Sequence, residues 1–159
     1  MKTHKEKIKK PVFEEEQRAY KNKAILFVCF VVSLLTLASL MQGKLNTTNL
    51  VASFSSLGVL LLLTVLLTLK IKVFSDSIRV RMFPFVINKT IKKEDILKAE
   101  DVKYNPLLDW GGWGIRFNFK GIAYNMYGNR GVKLTMKNGR IILLGSQKSH
   151  LLCDAILRK

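Results

Sequence analysis

The chain is poor in acidic residues, cysteine and histidine. Its 159 residues include 11 Asp and Glu against 27 Lys and Arg, so the formal net charge is +16. Its two cysteines, Cys29 and Cys153, are far apart in the sequence, which does not favour a disulfide, and they are too few soft ligands for a metal centre. We therefore expect no redox chemistry, no bound metal and no other cofactor.

The sequence also lacks residues in a pattern typical of catalysis. It contains no recognisable serine, histidine and aspartate set and no paired acid and base. His4 is expected in a solvated tail, and His150 in the first turn of a terminal helix. The run "GNRG" at 128–131 has no lysine-serine ending and no helix after it, unlike a phosphate-binding loop. We expect a protein that is not an enzyme.

Charged residues are absent from two long runs, 24–41 and 50–69. At about 1.5 Å of rise per residue, helices over these runs extend roughly 27 and 30 Å, the thickness of a bilayer's hydrocarbon core. Two buried helices of a soluble domain are the alternative, but only about ninety residues would remain to cover them. The charged N-terminal segment is unlike a cleaved signal peptide. The runs predict a transmembrane hairpin.

Basic residues are distributed unevenly around the two runs. The tail 1–23 carries eight and residues 70–93 carry seven, whereas the connection 42–49 carries one, Lys44. The positive-inside rule then places both termini in the cytoplasm. We expect a multi-pass protein of the bacterial inner membrane, with membrane lipid as one partner. Nucleic acid is not an expected partner, because the lysines of the tail lack interleaved aromatics and no nucleic-acid motif is present.

Small residues in the second run, Ala52, Ser55 and Ser56, fall along one helical face. Such a seam lets another helix approach closely. The first run is the obvious packing partner, and a helix of a second protein is the alternative. No ionisable residue lies inside either run, which argues against an ion or proton pathway.

Beyond residue 70 the pattern changes to alternation of apolar and polar residues. "SIRVRMF" at 77–83, "IRFNFK" at 115–120 and "VKLTMK" at 132–137 have the period of strands with one buried face. The pair Asn138 and Gly139 is typical of a tight hairpin turn. An apolar stripe over 148–158 predicts a final amphipathic helix. We expect a bent antiparallel sheet of roughly five to seven strands, closed by that helix.

Several short motifs follow one another in this region: "YNP" (104–106), "GGWGIR" (111–116), "GNRGV" (128–132) and "GSQ" (145–147). They resemble a family of small bacterial membrane proteins whose cytoplasmic part is similar to bacterial pleckstrin-homology-like domains. The resemblance implies an α+β membrane protein with a basic tail over 1–23, a helical hairpin over 24–69 and a pleckstrin-homology-like barrel over 70–159. It implies no catalytic residues.

Large aromatic and basic residues are the candidates for contact with a partner or with lipid: Trp110, Trp113, Arg116, Arg130, Arg79 and Arg81. The glycine and tryptophan segment 110–114 is a corner of the sheet with an aromatic plug, or else a binding surface. The arginines are candidates for a lipid phosphate. We expect a protein-interaction module, an accessory subunit of a larger membrane assembly or a homo-oligomer. The alternative is a sensor of anionic lipid at the cytoplasmic leaflet.

Overall fold

The computed structural model describes residues 10–41, 47–119 and 121–158, without the side chains at 39, 40 and 49. Residues 1–9, the first part of the predicted basic tail, and 42–46, with Lys44, lie outside the described residues. The described elements, in chain order, are β1 (Phe13–Arg18), α1 (Lys23–Met41), α2 (Thr47–Leu66), β2 (Thr68–Val73), β3 (Ser77–Phe83), β4 (Ile87–Lys92), β5 (Ile96–Lys103), α3 (Pro106–Trp110), β6 (Gly114–Asn118), β7 (Gly121–Asn125), β8 (Arg130–Met136), β9 (Ile141–Gly145) and α4 (Ser149–Leu157).

The first sheet, sheet 1, has the strand order β1-β2-β3-β4 and is antiparallel throughout. Alternation along β3 buries Ile78, Val80 and Met82 on its inner face, as the sequence pattern predicts. Its first strand comes from the segment that the sequence assigned to a basic tail. Residues of that strand are therefore part of the folded domain, ahead of the two helices.

The second sheet, sheet 2, has the order β5-β8-β9-β7-β6. Strands β8 and β9 form the hairpin that Asn138 and Gly139 predict, and Gly139 has a φ of 78° in its turn. The neighbouring pair, β7 and β9, is parallel. Parallel strands cannot be joined by a tight turn. The chain between β7 and β9 accordingly contains β8, the hairpin partner of β9.

One apolar core fills the space between the two sheets and α4. Its fully buried side chains come from both sheets and include Leu69, Ile71, Val80, Leu134 and Leu144. The predicted terminal helix is present as α4, and it buries Leu152, Cys153, Ala155 and Ile156 in that core. The apolar stripe of α4 therefore covers one side of the core.

Helices α1 and α2 contact each other along a narrow line. Cys29 Sγ lies 3.5 Å from Thr64 Oγ1, and both residues are buried. The hydroxyls of Ser33 and Thr64 also donate to carbonyls one turn earlier in their own helices, at 2.8 and 2.9 Å. These polar side chains are thus satisfied within the helical pair, and the remaining described surface of both helices is largely apolar.

Within the described segments, no helix is long and apolar enough to cross a membrane. The predicted transmembrane hairpin over 24–41 and 50–69 is therefore corrected to the helical pair α1 and α2. The predicted location, a multi-pass protein of the bacterial inner membrane, loses its basis with it. The length of an apolar run does not by itself determine whether a helix crosses a membrane.

The prediction of a single antiparallel barrel is also wrong. The described strands form two separate sheets, sheet 1 and sheet 2, which do not close into a barrel. Two pairings explain the difference: β1 extends sheet 1 from the N-terminal side of the helices, and β7 pairs in parallel with β9. Period-two alternation predicts which side chains of a strand face inward, but it does not predict which other strand pairs with it.

Candidate interaction surfaces

The outer faces of α1 and α2 form one exposed apolar surface, here called the helical-pair surface. Its described large side chains are Leu26, Phe27, Val28, Phe30, Leu34, Leu35, Leu37 and Met41 on α1, and Val51, Phe54, Val59, Leu61, Leu62, Leu63 and Val65 on α2. Each is more than one third exposed, and Phe27 reaches 65%. An apolar patch on this scale is typical of an interaction surface.

The predicted small-residue seam lies on this surface. Ala52, Ser55 and Ser56 are exposed, whereas α2 contacts α1 through a different face that contains Thr64. The seam is thus open for another helix. The sequence offered two packing partners for the seam, the first run or a helix of a second protein. The structure places the first run, α1, against another face of α2.

The turn between β3 and β4, residues 84–86 with Phe83, is a second exposed apolar feature. Phe83, Phe85 and Val86 are 54%, 62% and 85% exposed. Phe83 pairs with Thr68, which begins β2 shortly after α2 ends, so the turn lies at the end of sheet 1 nearest α2. Val86 has a φ of 51°, a left-handed conformation that a β-branched residue rarely adopts.

Arg79 and Arg81 lie on the outer face of sheet 1. The Arg79 guanidinium lies 5.0 Å from the centre of the Phe74 ring, and Arg81 Nε donates to Asn88 Oδ1 at 3.4 Å. Carboxylates share this face, since Glu14 pairs with Lys72 and Glu16 with Lys70, each at 2.8 Å. Hydrogen bonds from Lys70 and Arg18 hold the pKa of Glu16 below its ordinary value. The face is mixed in charge.

The "YNP" and "DWGG" motifs build the short helix α3. Asn105 caps it, because its Oδ1 accepts from the backbone N–H groups of Leu107 and Leu108 at 3.1 and 3.2 Å. Asp109 Oδ2 accepts from Asn105 N at 2.7 Å. Gly111 ends the helix with a φ of 71°. The first glycine of the pair is therefore a helix terminator.

The two tryptophans have different environments. Trp110, at the end of α3, is half-buried against Tyr104, Ala123 and Leu143 on the outer face of sheet 2. Trp113 is also half-buried, and its Nε1 donates to Gly128 O at 3.3 Å. Trp113 thus joins the start of β6 to the segment before β8, whereas Trp110 covers the sheet itself.

A cleft of about 430 Å³ opens beside Trp110. It is lined by Val102, Lys103, Tyr104, Leu108, Asp109, Trp110, Asn118, Phe119, Lys133, Ile141 and Leu143. A single row of paired residues crosses the outer face of sheet 2 beneath it: Glu100, Lys133, Leu143, Ala123 and Arg116. The row is apolar in the middle and charged toward both ends.

Arg116 and Arg130 do not share a site. Arg116 lies on the edge strand β6, and Arg130 begins β8, with β9 and β7 between them. Three strand spacings of about 4.8 Å separate these strands by roughly 14 Å. The Arg116 guanidinium lies over Gly112, where an added Cβ would be 3.3 Å from its nitrogen. This separation does not favour one phosphate group that contacts both arginines.

The "GSQ" motif joins sheet 2 to β1. Gln17 Nε2 donates to Gly145 O at 2.7 Å, and Gln147 N donates to Glu15 at 2.9 Å. Ser146 Oγ also donates to the Glu15 carboxylate. A Cβ on Gly145 would lie 2.7 Å from Asn125 Cβ, so glycine is needed there. Sequence reasoning missed Glu15 and Gln17, because the charged run around them is typical of a solvated tail.

Buried tyrosine also belongs to this region of the fold. Tyr104 is 8% exposed, and burial raises the pKa of its hydroxyl. Burial likewise raises the pKa of Tyr124, which lies in the core between the sheets. Neither phenol is placed for acid or base chemistry near neutral pH. Among the described residues, no group of three or more His, Cys, Asp and Glu is arranged to hold a metal ion.

Together the described residues define a two-sheet α+β protein with an exposed apolar helical pair and a cleft on its second sheet. No family model, no curated protein and no solved structure matches the chain. The resemblance of its motifs to pleckstrin-homology-like domains therefore stays a prediction.

Proposed function

We propose that the chain is a protein-interaction module that binds an apolar helix of a partner protein along the seam of α2. The observation that carries this proposal is the helical-pair surface, whose described large apolar side chains are exposed over the length of both helices. The sheet core has its own buried side chains and does not require the outer faces of the helices.

The cost of leaving such a surface in water favours a bound state. Removing apolar surface from water stabilises by about 25 cal/mol per Å², and monomers rarely expose contiguous apolar patches of more than a few hundred Å². A helix that covers the seam would bury Val59 and Leu63, which flank the small residues at helical spacing. Small side chains at Ala52, Ser55 and Ser56 allow the two backbones to come close.

The positive charge of the chain favours a partner with acidic residues. The chain has a formal net charge of +16, and exposed basic residues lie at the end of the helical pair nearest sheet 1, among them Lys21, Lys23 and Arg81. A second copy would bring like charges together, whereas a partner with acidic residues flanking its apolar helix is complementary. The exposed phenylalanines at 83 and 85 supply aromatic side chains of the kind that dominate binding energy in interfaces.

A synthetic helix tests the proposal directly. The probe is a Leu- and Ala-rich peptide with glutamates at both ends, and its match carries lysines instead. We expect fluorescence anisotropy to show that the acidic peptide binds the full chain at least about tenfold more tightly than the basic one. Val59→Glu should abolish this binding, because it places a charge beside the seam.

Leu61→Glu is the matched control, since Leu61 is 50% exposed and Val59 is 56% exposed on the same helix. Position 61 points about 180° away from Ala52, given 100° per residue. Equal loss of binding in both variants would overturn the seam as the site. A chain that dimerises without the peptide, or that partitions into neutral lipid vesicles regardless of Val59→Glu, would overturn the partner-protein proposal.

A further inference from the structure

The cleft beside Trp110 lies on the outer face of sheet 2 and takes no part in the proposed contact along α2. Its volume of about 430 Å³ is in the range of small-molecule sites, roughly 300 to 1,000 Å³. Its base is built from buried or half-buried side chains: Leu143 is 2% exposed and packs with Ala123 against Trp110. The base is thus apolar and fixed by packing.

Hydrogen bonds hold the wall of the cleft in place. Asn118 Nδ2 donates to Asp109 O at 3.1 Å, which ties α3 to the end of β6. Asp109 uses its Oδ2 within α3, where it accepts from Asn105 N. Leu108 and Phe119 line the opening and are strongly exposed. An apolar group entering the cleft would therefore meet apolar side chains at its mouth and at its base.

Three charged residues line the cleft, Lys103 and Lys133 with positive charge and Asp109 with negative charge. Lys133 Nζ pairs with Glu100 at 3.1 Å, and Glu100 also pairs with Lys98 at 2.6 Å, so one carboxylate is shared by two ammonium groups. Lys103 lines the cleft as well and is exposed. Lys133 lies on the same face of sheet 2 as the apolar base, and Lys103 lines the cleft from the end of the edge strand β5. Such an arrangement suits an anionic group attached to an apolar body.

We propose that this cleft binds a small amphiphilic anion, an alkyl or aryl body that carries one carboxylate or phosphate. The body packs on Trp110 and Leu143, and the anionic group lies against Lys103 and Lys133. The ligand is either a free molecule in solution or the same chemistry presented by a lipid in a bilayer, and the experiment distinguishes these two sources.

Tryptophan fluorescence gives the first measurement. Trp113→Phe leaves Trp110 as the only tryptophan of the chain. Decanoate and decyl phosphate, each below its aggregation concentration, should shift the Trp110 emission with saturation. Decanol and decylammonium are matched in chain length and should bind at least about tenfold more weakly, since they lack the negative charge. Equal binding of decanol would overturn the proposed role of the lysines.

Variants locate the site. The double variant Lys103→Gln and Lys133→Gln should weaken decanoate binding by about tenfold or more, whereas Lys137→Gln, in the exposed β8–β9 turn, should leave it unchanged. Leu108→Glu adds a negative charge at the opening, where the side chain is 85% exposed and folding should not suffer. This variant should also weaken decanoate binding. Unchanged binding in Leu108→Glu would contradict the site.

Vesicles distinguish the two sources of ligand. The chain is mixed with vesicles of neutral lipid that contain an added anionic lipid. Lys103→Gln should weaken binding to these vesicles only if the anion is presented by a bilayer. If decanoate binds and the vesicle binding is insensitive to that substitution, the ligand is a free molecule. If neither decanoate, decyl phosphate nor the vesicles depend on these lysines, the proposal fails. Because Val59→Glu does not touch the cleft, failure here leaves the partner-helix proposal standing.

Discussion

Glu15 connects parts of the chain that are more than a hundred residues apart. Its carboxylate accepts from Gln147 N at 2.9 Å, from Gln17 Nε2 at 3.0 Å and from the Ser146 hydroxyl. Its neighbour Glu14 faces the other side of β1 and pairs only with Lys72 among the described contacts. One strand thus carries a structural carboxylate and a surface carboxylate side by side.

Replacing Glu15 separates these two roles. Glu15→Gln should lower the free energy of unfolding by about 1.5 to 3 kcal/mol, because hydrogen bonds to a charged acceptor are the strong ones. Glu14→Gln should change it by less than about 1 kcal/mol, as expected for a surface ion pair. Urea unfolding of the full chain measures both. Equal effects of the two substitutions would mean that the link to the "GSQ" segment contributes little.

At the scale of elements, the parallel pair β7 and β9 depends on one glycine. A Cβ on Gly121 would lie 1.8 Å from the carbonyl oxygen of Ile141, the residue with which it pairs. No backbone atom of β9 can move aside without breaking the pairing on its other side with β8. Gly58 in α2, by contrast, has nothing within 4 Å of its Cβ position.

The two glycines should therefore respond in opposite directions. Gly121→Ala should destabilise the fold by about 3 kcal/mol or more, because the added methyl group meets backbone that cannot relax. Gly58→Ala should stabilise it by about 0.5 to 1 kcal/mol, the usual gain in a helix interior. Thermal unfolding followed by circular dichroism gives both changes. A tolerated Gly121→Ala would contradict the parallel register of β7 and β9.

Over the whole molecule, positive charge exceeds negative charge, and two carboxylates among the described residues are each shared between two cations. Glu16 lies between Lys70 and Arg18, and Glu100 lies between Lys98 and Lys133. Hydrogen bonds from these cations lower the pKa of both glutamates below the ordinary value of 4.5. Both carboxylates are at least partly exposed, so solvent screens each interaction.

The sign of the acid dependence follows from these pKa shifts. A carboxylate whose pKa is lower in the folded chain contributes stability above its unfolded pKa, and this contribution is lost as pH falls through the folded value. We expect the unfolding free energy to decline below about pH 4.5, the ordinary value, and Glu16→Gln with Glu100→Gln to flatten that decline. About 1 M salt should flatten it too. An acid limb unchanged by both would contradict the assignment.

The local elements could be predicted from the sequence alone. Apolar periodicity placed the strands around 77–83 and 132–136, Asn138 and Gly139 placed a turn, and the stripe over 148–158 placed the last helix. These features depend on neighbours within a few residues, which is why a single sequence reveals them. Of the candidate contact residues named from the sequence, Trp110 lines the cleft.

The pairing of the strands and the covering of each apolar surface could not be predicted and are seen in the three-dimensional fold. Strand β1 joins sheet 1 across two helices, β7 lies parallel to β9, and Lys103 and Lys133 both line the cleft beside Trp110. The apolar runs of α1 and α2 predicted helices, but run length did not determine their surroundings. Pairing and covering depend on contacts between residues distant in sequence, and alternation fixes the buried face of a strand without fixing its neighbour.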